Sequence, residues 1–156
     1  MAIDIDWRVD DQFRILSNLA DKRFFFDGEL VYSIEAVLQS IKIVDEAKQA
    51  DFWQKPGFWC KKAGRAIPWQ GSRVLFWKGK PMDRDGEDYQ DFLDRLYAAC
   101  FASCKPFRAA LIASGDEELT HSIGTIDQEF TILTQKEFLD RMVTLRQMAF
   151  AMKNPS

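Results

Sequence analysis

The sequence predicts an α+β fold, mainly helical, in a single domain spanning residues 1–156 with a few short strands. Three observations carry that expectation. Tyr89, Phe92, Leu93, Leu96, Tyr97, Cys100 and Phe101 form an apolar stripe at helical spacing. Thr134 and Glu137 stand at the spacing of a capping box, ahead of a second stripe of Phe138, Met142, Leu145 and Met148 or Ala149. Asp27-Gly28 lies between two apolar runs, where Asp-Gly supplies the positive φ angles of a tight hairpin turn.

Taken in order, residues 3–13 have room for a first strand. Residues 24–32 read as a hairpin about Asp27-Gly28. Ser33 then fits a helix N-cap, because its hydroxyl can accept from an orphan amide of the first turn. Ile34, Val37, Leu38, Ile41 and Val44 give that helix one apolar face and predict that it runs to about Ala50. Phe52, Trp53, Phe58 and Trp59 crowd around Pro56-Gly57, which marks a turn. Residues 72–77 have strand-like composition. Pro106 starts a short helix ending before Gly115. Residues 119–122 and 130–133 read as short strands.

Composition bounds the function. Hydrophobic residues make up 47% of the 156 and aromatics 13%, which suits a packed core and not a disordered chain. A net charge of -3 argues against indiscriminate affinity for polyanions but permits a local basic patch. No apolar run is long enough to span a bilayer and no signal-peptide core is visible, so a cytoplasmic protein without a membrane partner is expected. Cys60, Cys100 and Cys104 with a single histidine offer no zinc set, and buried, reduced thiols are expected. Neither a metal nor another cofactor is expected.

Chemistry concentrates beside the first helix's apolar face. Glu35, Gln39, Lys42 and Glu46 follow at steps of four, three and four, which makes one narrow stripe on a continuous helix. It starts near the helix N-terminus, where the macrodipole favours a negative charge on Glu35. A carboxylate, an amide and an amine in one line can bind a polar ligand and move protons. On spacing alone, a solvated helix face with an ordinary Glu–Lys pair is the simpler explanation.

A second feature is the basic, aromatic middle. Trp53, Trp59, Trp69 and Trp77 interleave with seven Lys and Arg residues, and residues 55–80 contain no Asp or Glu. Rings stack on bases and cations meet phosphates, so this suits a nucleotide surface; core tryptophans ringed by solvated lysines explain it equally well. Arg65 and Arg73 are the better phosphate candidates, because a guanidinium grips phosphate oxygens as a fork. His121 and Asp127 read first as a hydrogen-bonded structural histidine and a turn-capping carboxylate.

The stretch Leu16-Ser17-Asn18, Phe24, Asp27-Gly28, Ser33, Glu35, Gln39 and Lys42 resembles, in register, the NADAR (YbiA-like) family. Leu19 stands at the family's aromatic position and Ala36 at its histidine. The resemblance extends more loosely over Gly64-Arg65, Arg73 to Trp77, Ser114-Gly115, Asp127 with Phe130, and Leu145-Arg146. His121 stands where a Glu is usual, Phe130 replaces a Trp and Thr131 a Gly, which marks a divergent member. For residues 72–77 the resemblance implies helix or loop, against the strand-like composition.

The resemblance implies an N-glycosidase acting on an ADP-ribosylated or ribosyl-phosphate base, such as ADP-ribosyl-guanine. The partner is then a small molecule of that kind or ADP-ribosylated nucleic acid. Lys42 is implied as a nucleophile forming an imine at C1″, with Glu35 and Asp127 as its catalytic companions. Asn18, Gln39, Arg65, Arg73, His121 and Phe130 are implied to bind substrate. Lys42 must be neutral to attack, which burial favours and an ionised Glu35 opposes. The competing expectation is a non-catalytic module that binds ADP-ribose-like nucleotides, which the altered His121 and Phe130 positions favour.

Overall fold

A computed structural model describes residues 2–153. Among the described residues, six helices carry the fold: α1 (Ile34–Ser40), α2 (Glu46–Trp53), α3 (Gly57–Gly64), α4 (Glu87–Ser103), α5 (Lys105–Ala113) and α6 (Gln135–Lys153). The strands form three separate two-stranded pieces. β1 (Ile3–Asp4) pairs in parallel with β6 (Leu119–Thr120). β2 (Phe24–Phe26) and β3 (Glu29–Val31) make one antiparallel hairpin, and β4 (Val74–Trp77) and β5 (Lys80–Asp83) another.

The first hairpin turns as the Asp-Gly pair dictates, with φ 48° at Asp27 and 82° at Gly28. Lys78-Gly79 repeats that geometry in the second hairpin, at 51° and 82°. Residues 72–77 therefore end in a strand, as their composition indicates, and not in the helix or loop that the resemblance implied. The capping box at the start of α6 closes in both directions. Glu137 N donates to Thr134 Oγ1 at 3.0 Å, and Thr134 N donates to Glu137 Oε1 at 2.9 Å.

The helix expected from Ser33 to about Ala50 is two helices. Ile41 caps the end of α1. Its carbonyl accepts from Phe76 N of β4 at 2.7 Å, so it cannot serve a continuing helix. Asp45 opens α2 as an N-cap, its side chain accepting from Lys48 N at 3.0 Å. Gln49 holds the break: its amide nitrogen donates to Ser40 O, Ile43 O and Phe76 O. Residues 130–133 form no strand. Gln128–Phe130 is a 3-10 turn, and an isolated bridge joins Thr125 to Thr134.

All seven predicted positions of α4 are buried and form the centre of the core. The hairpin leans on them through Phe26, which meets Phe92 edge-on at 5.5 Å and Trp77 at 5.1 Å. Trp53, Trp69 and Trp77 are core residues, and only Trp59 of those four is exposed. Three of the four middle-segment tryptophans are thus unavailable for stacking. Cys60, Cys100 and Cys104 are free and buried.

Buried polar groups brace the segment after residue 120. Arg84 is 0% exposed; it pairs with Glu137 at 2.7 Å and donates through Nε to Thr131 O at 2.9 Å. The Tyr89 hydroxyl donates to Ile132 O. Among the described residues, no helix is long and apolar enough to cross a membrane.

Candidate functional site

A polar cleft lies at the head of α1, with a volume of about 170 Å³. Glu35 and Gln39 line it from α1, Ser17, Asn18 and Leu19 from the preceding turn, and Lys61 from α3. The far side is His121, Ile123, Gly124 and Thr125, then Thr131, Ile132 and Leu133.

Local folding fixes the near side. Ser33 Oγ accepts from Ala36 N at 3.0 Å and starts α1 where the sequence predicts. One residue on, Glu35 N donates to Asn18 O at 2.9 Å, so the Leu-Ser-Asn turn is pinned to the helix start. Asn18 Oδ1 accepts from the buried Tyr97 hydroxyl at 2.7 Å, which ties the turn to α4. Gln39 Nε2 donates to Glu35 Oε1 at 2.7 Å, one turn along the same face. That bond orients the amide and turns its oxygen away from the carboxylate. Gln39 Oε1 is buried and has no hydrogen-bond partner among the described residues.

The far side is held by backbone. His121 Nδ1 lies 2.8 Å from Ile5 O and therefore carries a hydrogen toward that carbonyl. Its ring packs on Phe138 at 4.8 Å between centroids. Arg84 and Tyr89 secure Thr131 and Ile132 through their carbonyls.

Lys42 stands elsewhere. α1 has ended before it, and Lys42 N bonds to Gln39 O in a tighter turn at 3.3 Å. Its Nζ donates to Gly64 O at 3.1 Å, and the residue lines a neighbouring open groove of about 910 Å³ with Ile43, Phe52, Ala63 and Ile67. Burial lowers the Lys42 pKa below the usual lysine value, and nearby Glu35 opposes that shift. Gly64 is the partition. A side chain there would begin 2.0 Å from Gln39 Oε1, so only glycine lets the end of α3 lie against Gln39 while its carbonyl takes Lys42. Glu46, the fourth member of the stripe, is exposed in the first turn of α2.

The remaining predicted residues are dispersed. Asp127 is exposed, and its carboxylate accepts from Glu129 N at 3.0 Å, capping a turn. Phe130 is 71% exposed and immediately precedes Thr131 of the cleft. Arg73 forms a two-bonded pair with Asp85, at 2.6 and 2.7 Å, and also reaches Gln128 O. Hydrogen bonds from Arg73 and Gln128 hold the Asp85 carboxyl well below its usual range. Arg65 is exposed next to Gly64. Sequence reasoning did not single out Lys61, Thr125 or Tyr97. For Lys61 a signal existed: it lies one turn before Gly64 in the acid-free segment. Tyr97 showed only as one member of a core stripe.

A family model described as Bacteriophage protein GP30.3 matches residues 13–147. No curated protein matches the sequence. Among solved structures, the NMR structure of the E. coli protein YbiA is similar, with a TM-score of 0.65 over 99% of this chain and 88% of that chain. The two are 17% identical, so this likeness speaks to the fold.

Proposed function

Because this chain belongs to the bacteriophage GP30.3 protein family and has the fold of YbiA, we propose that it is an N-glycosidase whose active site is the cleft at the head of α1. The substrate is an ADP-ribosylated or ribosyl-phosphate base. One observation carries this reading: Glu35, a buried carboxylate, lines a concave polar cleft and is oriented by Gln39. A carboxyl group held in that way suits proton transfer at a glycosidic centre. Asn18, Gln39 and His121 surround it with hydrogen-bonding groups for a ribose and a base.

The chemistry follows from these groups. In its acid form Glu35 gives its proton to the ribose ring oxygen and the ring opens; closure of the released sugar later returns that proton. A neutral lysine amine adds at C1″, the base leaves with a proton, and the resulting imine is hydrolysed by water to regenerate the amine. Lys42 fits the amine's role through its lowered pKa, and it must first leave Gly64 O. The non-catalytic reading, a module that binds ADP-ribose-like nucleotides, is favoured by one observation: Lys42 lies beyond Gly64, in the neighbouring groove.

The test is base release from ADP-ribosyl-guanine and from a ribosylamino-pyrimidine phosphate. Glu35→Gln is expected to slow release by roughly 10²–10⁴ while ligand still binds. Borohydride is expected to trap ADP-ribose on the parent protein and not on Lys42→Ala. Binding of ADP-ribose by the parent and both variants alike, with no base released by any of them, establishes the non-catalytic module instead.

A further inference from the structure

A second hollow, of about 240 Å³, opens on the other side of Leu19 from the cleft. Aromatic rings and guanidinium groups dominate it. Trp7 and Phe58 pack together at 5.2 Å between centroids, tilted by 47°. Tyr32 lines the same hollow, with the Arg23 guanidinium lying 3.8 Å from its ring centroid. Arg14 completes the set; it is exposed, and no side-chain partner occupies it among the described residues. Lys62 reaches over the Phe58 ring at 5.7 Å. Asp21 is the one acidic residue in the lining, and its contact with Arg23 is a long one, 3.4 Å between two largely exposed side chains.

Phe58 is 49% exposed, so its ring is not there to fill the interior. Aromatic faces and guanidinium planes are the two surfaces on which nucleobases stack, and free arginine forks bind the adjoining phosphates. The hollow joins both: two guanidinium groups and one carboxylate line it, Arg23 is shared with Asp21 and Arg14 is left over, and Lys62 lies over the Phe58 ring at its rim, on a protein of net charge -3. Local positive charge on an acidic chain favours one placed phosphate over indiscriminate binding of polyanions.

We propose that this hollow is a second, separate ligand site that takes a nucleotide unit: a base on the Trp7, Phe58 and Tyr32–Arg23 surface and a phosphate at Arg14. The site does not depend on the chemistry assigned to Glu35. The unit comes either from a free nucleotide or from an unpaired residue of a single strand. A strand residue here would lie beside whatever occupies the cleft, with only Leu19 between them.

The experiment is fluorescence anisotropy with a labelled ten-residue oligothymidylate, and tryptophan quenching by AMP, on the parent, Phe58→Ala and Arg14→Ala. Phe58→Ala is expected to weaken binding about 5- to 150-fold, the range for losing one stacked base. Arg14→Ala is expected to weaken it and to reduce the salt dependence by about one phosphate contact. Binding of AMP with the same response to Phe58→Ala identifies a free nucleotide as the ligand, and binding of the oligomer alone identifies a strand. Equal affinity in the parent, Phe58→Ala and Arg14→Ala overturns the proposal. So does failure of both probes to bind, which leaves the rings as a protein-docking surface. Both substituted side chains are exposed, so unchanged circular dichroism is expected to separate a lost ligand from a lost fold.

Discussion

Gly64 shows how one residue separates the cleft from the neighbouring groove. Its missing side chain lets Gln39 lie against α3, and its carbonyl holds Lys42 on the far side. Gly64→Ala places a carbon 2.0 Å from Gln39 Oε1 and 3.0 Å from Gln39 Cβ. The amide must swing away and release Glu35. We expect a loss of roughly 1–3 kcal/mol in urea unfolding, typical of an overpacked interior. We also expect Gln39→Ala to absorb the clash, so that the double variant is more stable than the two separate losses imply. Additive losses in that cycle contradict the partition. Glu35 and Gln39 were legible in the sequence because a cap and a four-residue step place them within one helical turn. Lys42 was not, because its position relative to them depends on where α1 stops.

The ends of elements decide that. Ser33, Thr134 with Glu137, and Pro106 announced three helix starts, and the structure has all three. The stop after Ser40 is set by contacts distant in sequence, through Phe76 N and the side chain of Gln49. The local hint was Asp45, whose capping role was hidden behind the helical spacing of Val44 and the residues before it. Two predictions follow from these ends. Ser33→Ala removes the acceptor for Ala36 N and should cost about 1 kcal/mol, with thermal unfolding as the readout. Gln49→Leu keeps the bulk but leaves the carbonyls of Ser40, Ile43 and Phe76 without their shared donor. A loss of about 1–3 kcal/mol is expected. Neutrality would mean that the break between α1 and α2 holds without Gln49.

Across the molecule, the pair of Arg84 and Glu137 joins the end of β5 to the start of α6. Burial raises the Glu137 pKa, but hydrogen bonds from Arg84, Thr134 N and Gln90 outweigh it and leave the value below the usual 4.5. A carboxylate whose folded pKa is depressed contributes its full stability above the unfolded value, and loses it as pH falls through the folded value. Stability should therefore decline on acidification below about pH 4.5. Glu137→Gln should be less stable at neutral pH by roughly 3–5 kcal/mol, since it leaves Arg84 charged, buried and unpaired. Its urea midpoint should also vary less between neutral pH and pH 3. An equally steep acid decline in the variant would assign the effect to the other depressed carboxylates, such as Asp6, held at about 2 by Arg8. The single mainly helical domain was readable from amphipathic stripes because those depend on nearest turns. This ion pair was not, because it spans 53 residues.

The parallel pairing of β1 with β6 sets a schedule. Ile3 meets Leu119 and His121 bonds to Ile5 across 116 residues, so this contact closes one of the longest loops in the chain. Pairings that distant form late, after local helices have repaid the cost of collapse. Apart from Lys61 of α3, the Glu35 side of the cleft is local to residues 17–39 and exists before the His121 side has anything to dock on. During synthesis the first strand must wait for residue 119 to leave the ribosome. In pulsed hydrogen exchange on refolding, the amides of Ile3 and Ile5, which donate to Glu118 O and Thr120 O, should gain protection after those of α4. The cleft would then be the last part of the protein to become whole, and the first to open when the N-terminal strand is pulled away.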